Sequence, residues 1–413
     1  MSIAGFPYPF VTGGPAYRSK VLVPSEEMDA RNSREPDSHT NLIGSDSGSG
    51  SGFGAAAAPV MVKAAELGAP FLRLRGISSA HLPPSAGPQE ELIPFLATLL
   101  RESVPFIDSV APKSAKKPQP STDLGTAKSE WKPLKTKSSK VDNDGSTTVS
   151  LYERTLSAPE LRAIERSAGM ATSNTDDSET WACRRSVHRD SNVPGDGSAS
   201  WGEFVTCFKD KHVECEEAFT PSIVGTRMLR DYDVSGLQVD DEHGDRYGSF
   251  KMKVVEARHK IGVKPLLKDR AFTVLQVSCS LLPPGRGSPA GVGSKCEDSS
   301  EILVMNIPVS DVESLATTTT SSVEGKTGNK EDPFRKDAVK GSFVSVERIR
   351  KLPTTENDGQ AQIEWIMATA SDARGSLPGW VQTMAVPGQI AKDVTLFLGW
   401  VAKERENKGG LVA

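Results

Sequence analysis

A strand running almost directly into a long amphipathic helix is the feature that most constrains this chain. Gln362–Ala370 reads Gln-Ile-Glu-Trp-Ile-Met-Ala-Thr-Ala, with β-branched and aromatic residues recurring on alternate positions, as a strand requires. Ile363, Trp365, Met367 and Thr369 fall on one side, and Glu364, Ile366 and Ala368 on the other. Ser371 to Gly375 is turn chemistry, and Pro378 opens a helical stretch. Beyond Pro387, a residue suited to a first helical turn, Ile390, Val394, Phe397, Leu398 and Val401 recur at helical spacing. The opposite face takes Lys392, Asp393, Lys403 and Glu404. A helix fed this way by a strand is expected to lie across its own sheet.

What precedes that pair sets how large the sheet can be. With 413 residues the chain has room for one large or two ordinary domains. Hydrophobic residues make up 37% and there are 36 Gly and 28 Pro, so part of the chain is expected to be disordered, with the core concentrated elsewhere. A net charge of -4 gives no global pull toward nucleic acid. The five cysteines (Cys183, Cys207, Cys215, Cys279 and Cys296) are odd in number and form no CxxC pair. That pattern fits a reducing, cytoplasmic setting better than a disulfide scaffold. No apolar run is long enough for a membrane span, and no secretory signal is expected.

Residues 1–78 read as a tail, marked by the low-complexity run Gly44–Gly52. Near Pro88 a helical face begins with Leu92, Leu96, Leu99, Leu100 and Ile107, with Pro105 as a kink. Residues 111–140 carry eight lysines among prolines. The plain reading is a solvated loop; the sharper one is transient contact with an anionic membrane surface. Strands are predicted over Thr147–Thr155 and Thr180–His188. Ser200 and Glu203 then form a capping box, opening a helix striped by Trp201, Phe204, Val205, Phe208, Cys215 and Phe219. Gly248–Ala257, Ala271–Leu282, Glu301–Pro308 and Gly341–Ile349 give four further strands. Consecutive strands without intervening helices imply an antiparallel sheet, and the class is α+β.

In this order the residues resemble the START lipid-transfer domain, the helix-grip fold shared with Bet v 1-like proteins. The likeness is carried by Ile363–Thr369, by Gly375-Ser-Leu-Pro-Gly-Trp380 and by the last helix. Upstream, Lys268-Asp-Arg-Ala-Phe272 resembles the start of a central strand in that family, and Val339-Lys-Gly-Ser-Phe343 the strand two before the end. The chain is most similar to a fungal START-like family catalogued as a domain of unknown function. Trp181–Arg184, His188, Ser200–Phe204, His212–Ser222 and Asp269–Leu275 carry that likeness, together with Gly375 through Trp400. It implies a START-like domain over 79–406, with inserts near 111–140, 283–300 and 312–338 and a short tail over 407–413.

The resemblance further implies a curved antiparallel sheet wrapped around the C-terminal helix, enclosing an apolar cavity for one lipid or sterol. Residues expected to line it are Trp181, Cys183, Phe250, Met252, Arg270, Leu275, Val277, Met305, Glu347, Trp365, Met367, Val394 and Phe397. Burying each CH₂ of a ligand gains about 0.8 kcal/mol, so no covalent chemistry or cofactor is needed. Gly262–Lys268 is the implied lid, and Pro387-Gly388 a hinge. Arg270 and Glu347 are expected on neighbouring strands, either paired toward a polar head group or facing solvent.

Catalysis finds less support in the residues. His212, then His188, is the best catalytic candidate, but neither has a partner set in sequence. Cys207, His212 and Cys215 lack a fourth ligand for structural zinc, so no metal is expected. Gly287–Lys295 has Gly-Ser-Lys where a phosphate loop needs Gly-Lys-Ser/Thr. The expected function is non-catalytic binding and intracellular transfer of a lipid or sterol. The alternatives are a Bet v 1-like cyclase or hydrolase, and a ligand-sensing scaffold. A histidine beside a carboxylate in the cavity would favour the enzyme; a cavity filled by its own side chains would favour the scaffold.

Overall fold

In the computed structural model the alternating segments pair into one sheet that is covered on both faces. The structure describes residues 66, 68–85, 87–111, 131–141, 145–170, 178–193, 197–260, 268–283, 299–311, 334, 338–353, 360–374 and 379–407. Its strands are β1 (Ile77–Ser78), β2 (Lys132–Pro133), β3 (Lys137–Val141), β4 (Gly145–Leu156), β5 (Glu179–Arg189), β6 (Ile223–Tyr232) and β7 (Gln238–Asp240). They continue with β8 (Arg246–His259), β9 (Arg270–Leu281), β10 (Glu301–Ser310), β11 (Val339–Lys340), β12 (Ser342–Leu352) and β13 (Gln362–Asp372). The helices are α1 (Ile93–Asp108), α2 (Ala158–Ser167), α3 (Trp201–Val205), α4 (His212–Phe219) and α5 (Gly379–Asn407). A π-helical turn, Thr206–Asp210, joins α3 to α4.

The main path of the sheet runs β2-β4-β5-β13-β12-β10-β9-β8-β6, antiparallel at every step. Alternation along β13 assigns the faces. Ile363, Trp365 and Met367 meet α5 and the α3–α4 segment, whereas Ile366, Ala368 and Ala370 join the core beneath α1. On α5 the apolar stripe Ile390, Val394, Phe397, Leu398 and Val401 is buried against the sheet, while Lys392 and Lys403 are exposed. An antiparallel sheet gripped by its C-terminal helix is the α+β, helix-grip arrangement expected.

Polar clips fix the helix ends. The capping box is present: the Ser200 N–H donates to Glu203 Oε2 at 2.7 Å, and the Glu203 N–H to Ser200 Oγ at 3.4 Å. Arg405, in the last turn of α5, donates from Nε to Glu203 Oε1 at 2.7 Å and from Nη1 and Nη2 to the Val193 and Ser191 carbonyls. The same glutamate thus starts α3 and holds the end of α5.

Several elements differ from the sequence reading. The polar stretch between β4 and β5 contains α2, opened by a second capping box at Ser157 and Glu160. The helix ending near Phe219 is followed by β6, an edge strand with irregular pairing. Part of the lysine-rich segment forms β2 and β3 against β4, and Trp131 is buried. Helix α5 does not restart at Pro387 but runs through it.

The boundary drawn at residue 78 also moves, because Ala69, Phe71 and Ile77 are buried. Phe71 packs on Phe95 at 4.7 Å, and Glu102 accepts from the Phe71 and Leu72 N–H groups at 2.7 and 3.2 Å. Arg73 bridges Glu165 and Glu179 at 3.0 and 2.8 Å. These short apolar pieces show no period, and buried carboxylates hold them. Residues 1–65, all of the Gly262–Lys268 lid segment but Lys268, most of each insert and residues 408–413 lie outside the described residues.

Candidate functional site

The inward face of the sheet brings polar side chains into an otherwise apolar layer. β5 contributes Arg184, β10 Asn306, β12 Glu347, and β13 Trp365 and Met367. Phe208 of the π-helical turn, His212, Glu216 and Phe219 of α4, and Asp393 of α5 close the cleft. A second cleft on the same face is lined by Val255, His259, Phe272, Gln276 and Phe343, and shares Glu216 and Asn306 with the first. Including their open mouths the two measure about 310 and 400 Å³. Their enclosed parts are narrow, about 20 and 30 Å³, room for a water or two each.

Arg184 is the centre of the polar group. Its Nη2 donates to Glu347 Oε1 at 2.9 Å, and Trp365 Nε1 donates to the same oxygen at 2.6 Å. The guanidinium lies 3.8 Å from the centre of the Trp365 ring, a cation–π contact strengthened by burial. Burial pushes the Glu347 carboxyl up and the Arg184 guanidinium down, each against the attraction of the other. Asp393 also acts on Arg184, holding its charge in place. Arg184 is 1% exposed, yet its Nε and Nη1 have no hydrogen-bond partner among the described residues. Gln276 donates to Asn306 at 3.2 Å, and Asn306 to Ser345 at 3.1 Å, so a neutral polar ladder continues across the floor.

The histidines expected as catalytic candidates sit in different places. His188 shares a hydrogen bond with Ser186 Oγ at 2.8 Å and packs between Phe204 and Trp365. His212 lies in the cleft with Nε2 3.5 Å from Glu216 Oε2, and its Nδ1 has no partner among the described residues. Burial lowers His188, His212 and His259 to about 3 each. All three are therefore neutral at pH 7; His212 stands beside Glu216 in the cleft, the pairing that would favour an enzyme, but an imidazole with so low a pKa is a weak base at that pH.

This has a consequence for acid stability. The folded chain holds the three imidazoles neutral down to about pH 3, whereas the unfolded chain protonates them near pH 6.5. Protons thus bind the unfolded state preferentially in that window, and stability falls as pH drops below about 6.5. Near pH 5 the slope approaches 1.4 kcal/mol per pH unit for each histidine. Glu102, which burial raises to about 7, opposes this over the same window, so the histidine share is read as a difference: urea midpoints of His188→Gln should fall less from pH 7.5 to 5 than those of the native chain.

The residues expected to line the cavity divide between the two faces. Glu347, Trp365 and Met367 line the cleft, and Val394 and Phe397 belong to the core behind it. Trp181, Cys183, Phe250, Met252, Leu275, Val277 and Met305 lie on the opposite face, in the core beneath α1. Apolar alternation does not say which face carries the cavity when both are covered. The Arg270–Glu347 pairing is corrected: β10 lies between β9 and β12, so the two are not on neighbouring strands. Arg270 instead donates from Nε to the Ala373 carbonyl at 2.6 Å and from Nη2 to the Arg374 carbonyl at 3.2 Å. Glu347 takes Arg184 as partner.

Asp393 was read onto the solvent face of α5, yet it is 3% exposed. It stands three residues after Ile390 and four before Phe397, which puts it on the apolar stripe. A carboxylate inside that stripe was the available signal. Arg184, at the end of the Trp-Ala-Cys-Arg run, alternates onto the inward face with Ala182 and Ser186, where its residue type alone argues for solvent. Among the described residues no helix is long and apolar enough to cross a membrane.

The sequence model of a family described as "Protein of unknown function (DUF3074)" matches residues 181–401, more than half of the chain. No curated protein matches. Among solved structures, human STARD10 aligns with 15% identity and a TM-score of 0.35, over 69% of this chain and 78% of that one. Human StAR-related lipid transfer protein 5 aligns with 12% identity and a TM-score of 0.32, over 74% and 99%. Ara h 8.0201 aligns with 10% identity and a TM-score of 0.23, over 54% and 99%. At these identities and scores the likenesses say nothing about ligand or activity.

Proposed function

Because the chain belongs to this DUF3074 family, we propose its function from the cleft itself: non-catalytic binding of one lipid or sterol between the inward face of the sheet and α5. The observation that carries this reading is Arg184, fully buried at the inner end of an apolar layer with two guanidinium donors left without partners. A buried polar group without a partner costs free energy, and a ligand head group in the cleft would recover it. The surrounding Phe208, Phe219, Trp365 and Met367 offer the apolar wall that a hydrocarbon needs. The enclosed space is too narrow for a lipid, so loading requires the walls of the cleft to part. Within α5, Met384 is 76% exposed and Pro387 removes one helical hydrogen bond, which makes this stretch the wall proposed to move. Intracellular transfer of the bound ligand, with transient contact at an anionic membrane surface, is the cellular form of this proposal.

The narrow cleft favours one second reading, a sensing scaffold whose cavity its own side chains fill. Native mass spectrometry of the purified full chain, with extraction of co-purified lipid, separates the two. The lipid reading expects a mass increment of one lipid or sterol, or uptake of added labelled sterol or phospholipid. A protein of bare mass that takes up neither would overturn it.

A further inference from the structure

We infer that the buried end of the ligand is an uncharged hydroxyl, accepted by His212 Nδ1 and donated to by Arg184. This rests on the reading of the cleft as a lipid site and adds what kind of head group the cleft selects.

Two side chains of opposite character are left open in the same cleft. Arg184 offers Nε and Nη1, both donors. His212 offers Nδ1. Glu216 Oε2 lies 3.5 Å from Nε2, and a carboxylate on that side of the ring favours the tautomer with its proton on Nε2, which leaves Nδ1 as an acceptor. A group that satisfies both must give one hydrogen and take one. A hydroxyl does so; an ether or ester oxygen satisfies only Arg184, and a quaternary ammonium satisfies neither.

The same inventory argues against an anionic head group. A carboxylate or phosphate binds arginine best through two donors on one edge of the guanidinium. Each such edge includes Nη2, whose two N–H groups are directed at Glu347 Oε1 at 2.9 Å and, more weakly, at Met367 Sδ at 3.9 Å, while Nε and Nη1 lie on different edges. The lining also contains three carboxylates, Glu216, Glu347 and Asp393, against one guanidinium. A negative head group placed among them would be repelled at short range in a poorly screened site. An anion would also find only a lone pair at His212 Nδ1.

The test measures equilibrium binding of matched probes to delipidated full chain. The probes are oleyl alcohol, oleyl methyl ether and oleate, with cholesterol and cholesterol methyl ether to distinguish an acyl from a sterol source. The alcohol should bind about tenfold more tightly than its ether, the worth of one hydrogen bond recovered in a buried site, and oleate should bind more weakly than the alcohol. In His212→Phe the alcohol-to-ether ratio should fall to about one. His212→Asn, whose amide oxygen can stand in for Nδ1, should restore it. If the phenylalanine variant fails to fold, the ranking of alcohol, ether and acid on the native chain decides. Oleate binding as tightly as the alcohol, or a ratio that persists in His212→Phe, would overturn the hydroxyl assignment while leaving a lipid site intact. Binding of none of the probes would overturn both.

Discussion

Phe397→Asp should leave the chain unable to fold. Phe397 is fully buried and its ring touches Phe204, Phe208, Phe219 and Trp365, with centroids 5.0 to 5.8 Å away. Removing such a ring costs about 3–5 kcal/mol. The new carboxylate adds several kcal/mol more, because it is desolvated among aromatic rings and Arg184, stacked on Trp365, is already paired with Glu347. Together these approach the whole stability of an ordinary domain, roughly 5–15 kcal/mol. Far-ultraviolet circular dichroism and a thermal scan would show loss of the cooperative transition. Lys392→Asp, on the exposed side of the same helix, should change stability by no more than about 0.5 kcal/mol. A folded Phe397→Asp protein would mean that α5 is not the element closing the inner core.

Glu347→Ala should cost about 3–5 kcal/mol in urea unfolding at pH 7, the usual result of removing one partner from a buried ion pair. Two groups lose their acceptor at once, the Arg184 guanidinium and the Trp365 indole N–H. Arg184→Met combined with Glu347→Leu should recover most of the loss, since replacing both charges by apolar side chains removes the desolvation cost as well as the attraction. The non-additivity between single and double variants measures the coupling. A loss below about 1 kcal/mol for the single variant would show that water reaches the pair.

Much of this architecture was legible in the residues. Strands β5, β8, β9, β10, β12 and β13 each stand within a few residues of where alternation placed them, and the Ser200 capping box is present. The final strand and helix pack as their periodicities require. The second cover was not legible. α1 was readable as an amphipathic helix, but nothing local says that it lies on the face opposite α5. Trp181, Cys183, Phe250 and Met252 were accordingly expected in the cavity and instead fill the core under α1. The polar centre was hidden for a related reason. Arg184 and Asp393 are charged residues on buried faces, and residue type argues for solvent until the opposing element is known. His212 was singled out, but its partner Glu216, one helical turn on, was not.

The central claim is that the inward cleft, and not the outer core, receives the ligand. Its most direct test is uptake of a labelled sterol or phospholipid by Met367→Trp, with circular dichroism confirming the fold. Met367 lines the cleft beside Trp365 and is 2% exposed, so a larger ring there occupies the space a ligand needs. The account predicts a folded protein that no longer takes up the probe. A folded Met367→Trp protein with unchanged uptake would contradict it and place the ligand elsewhere.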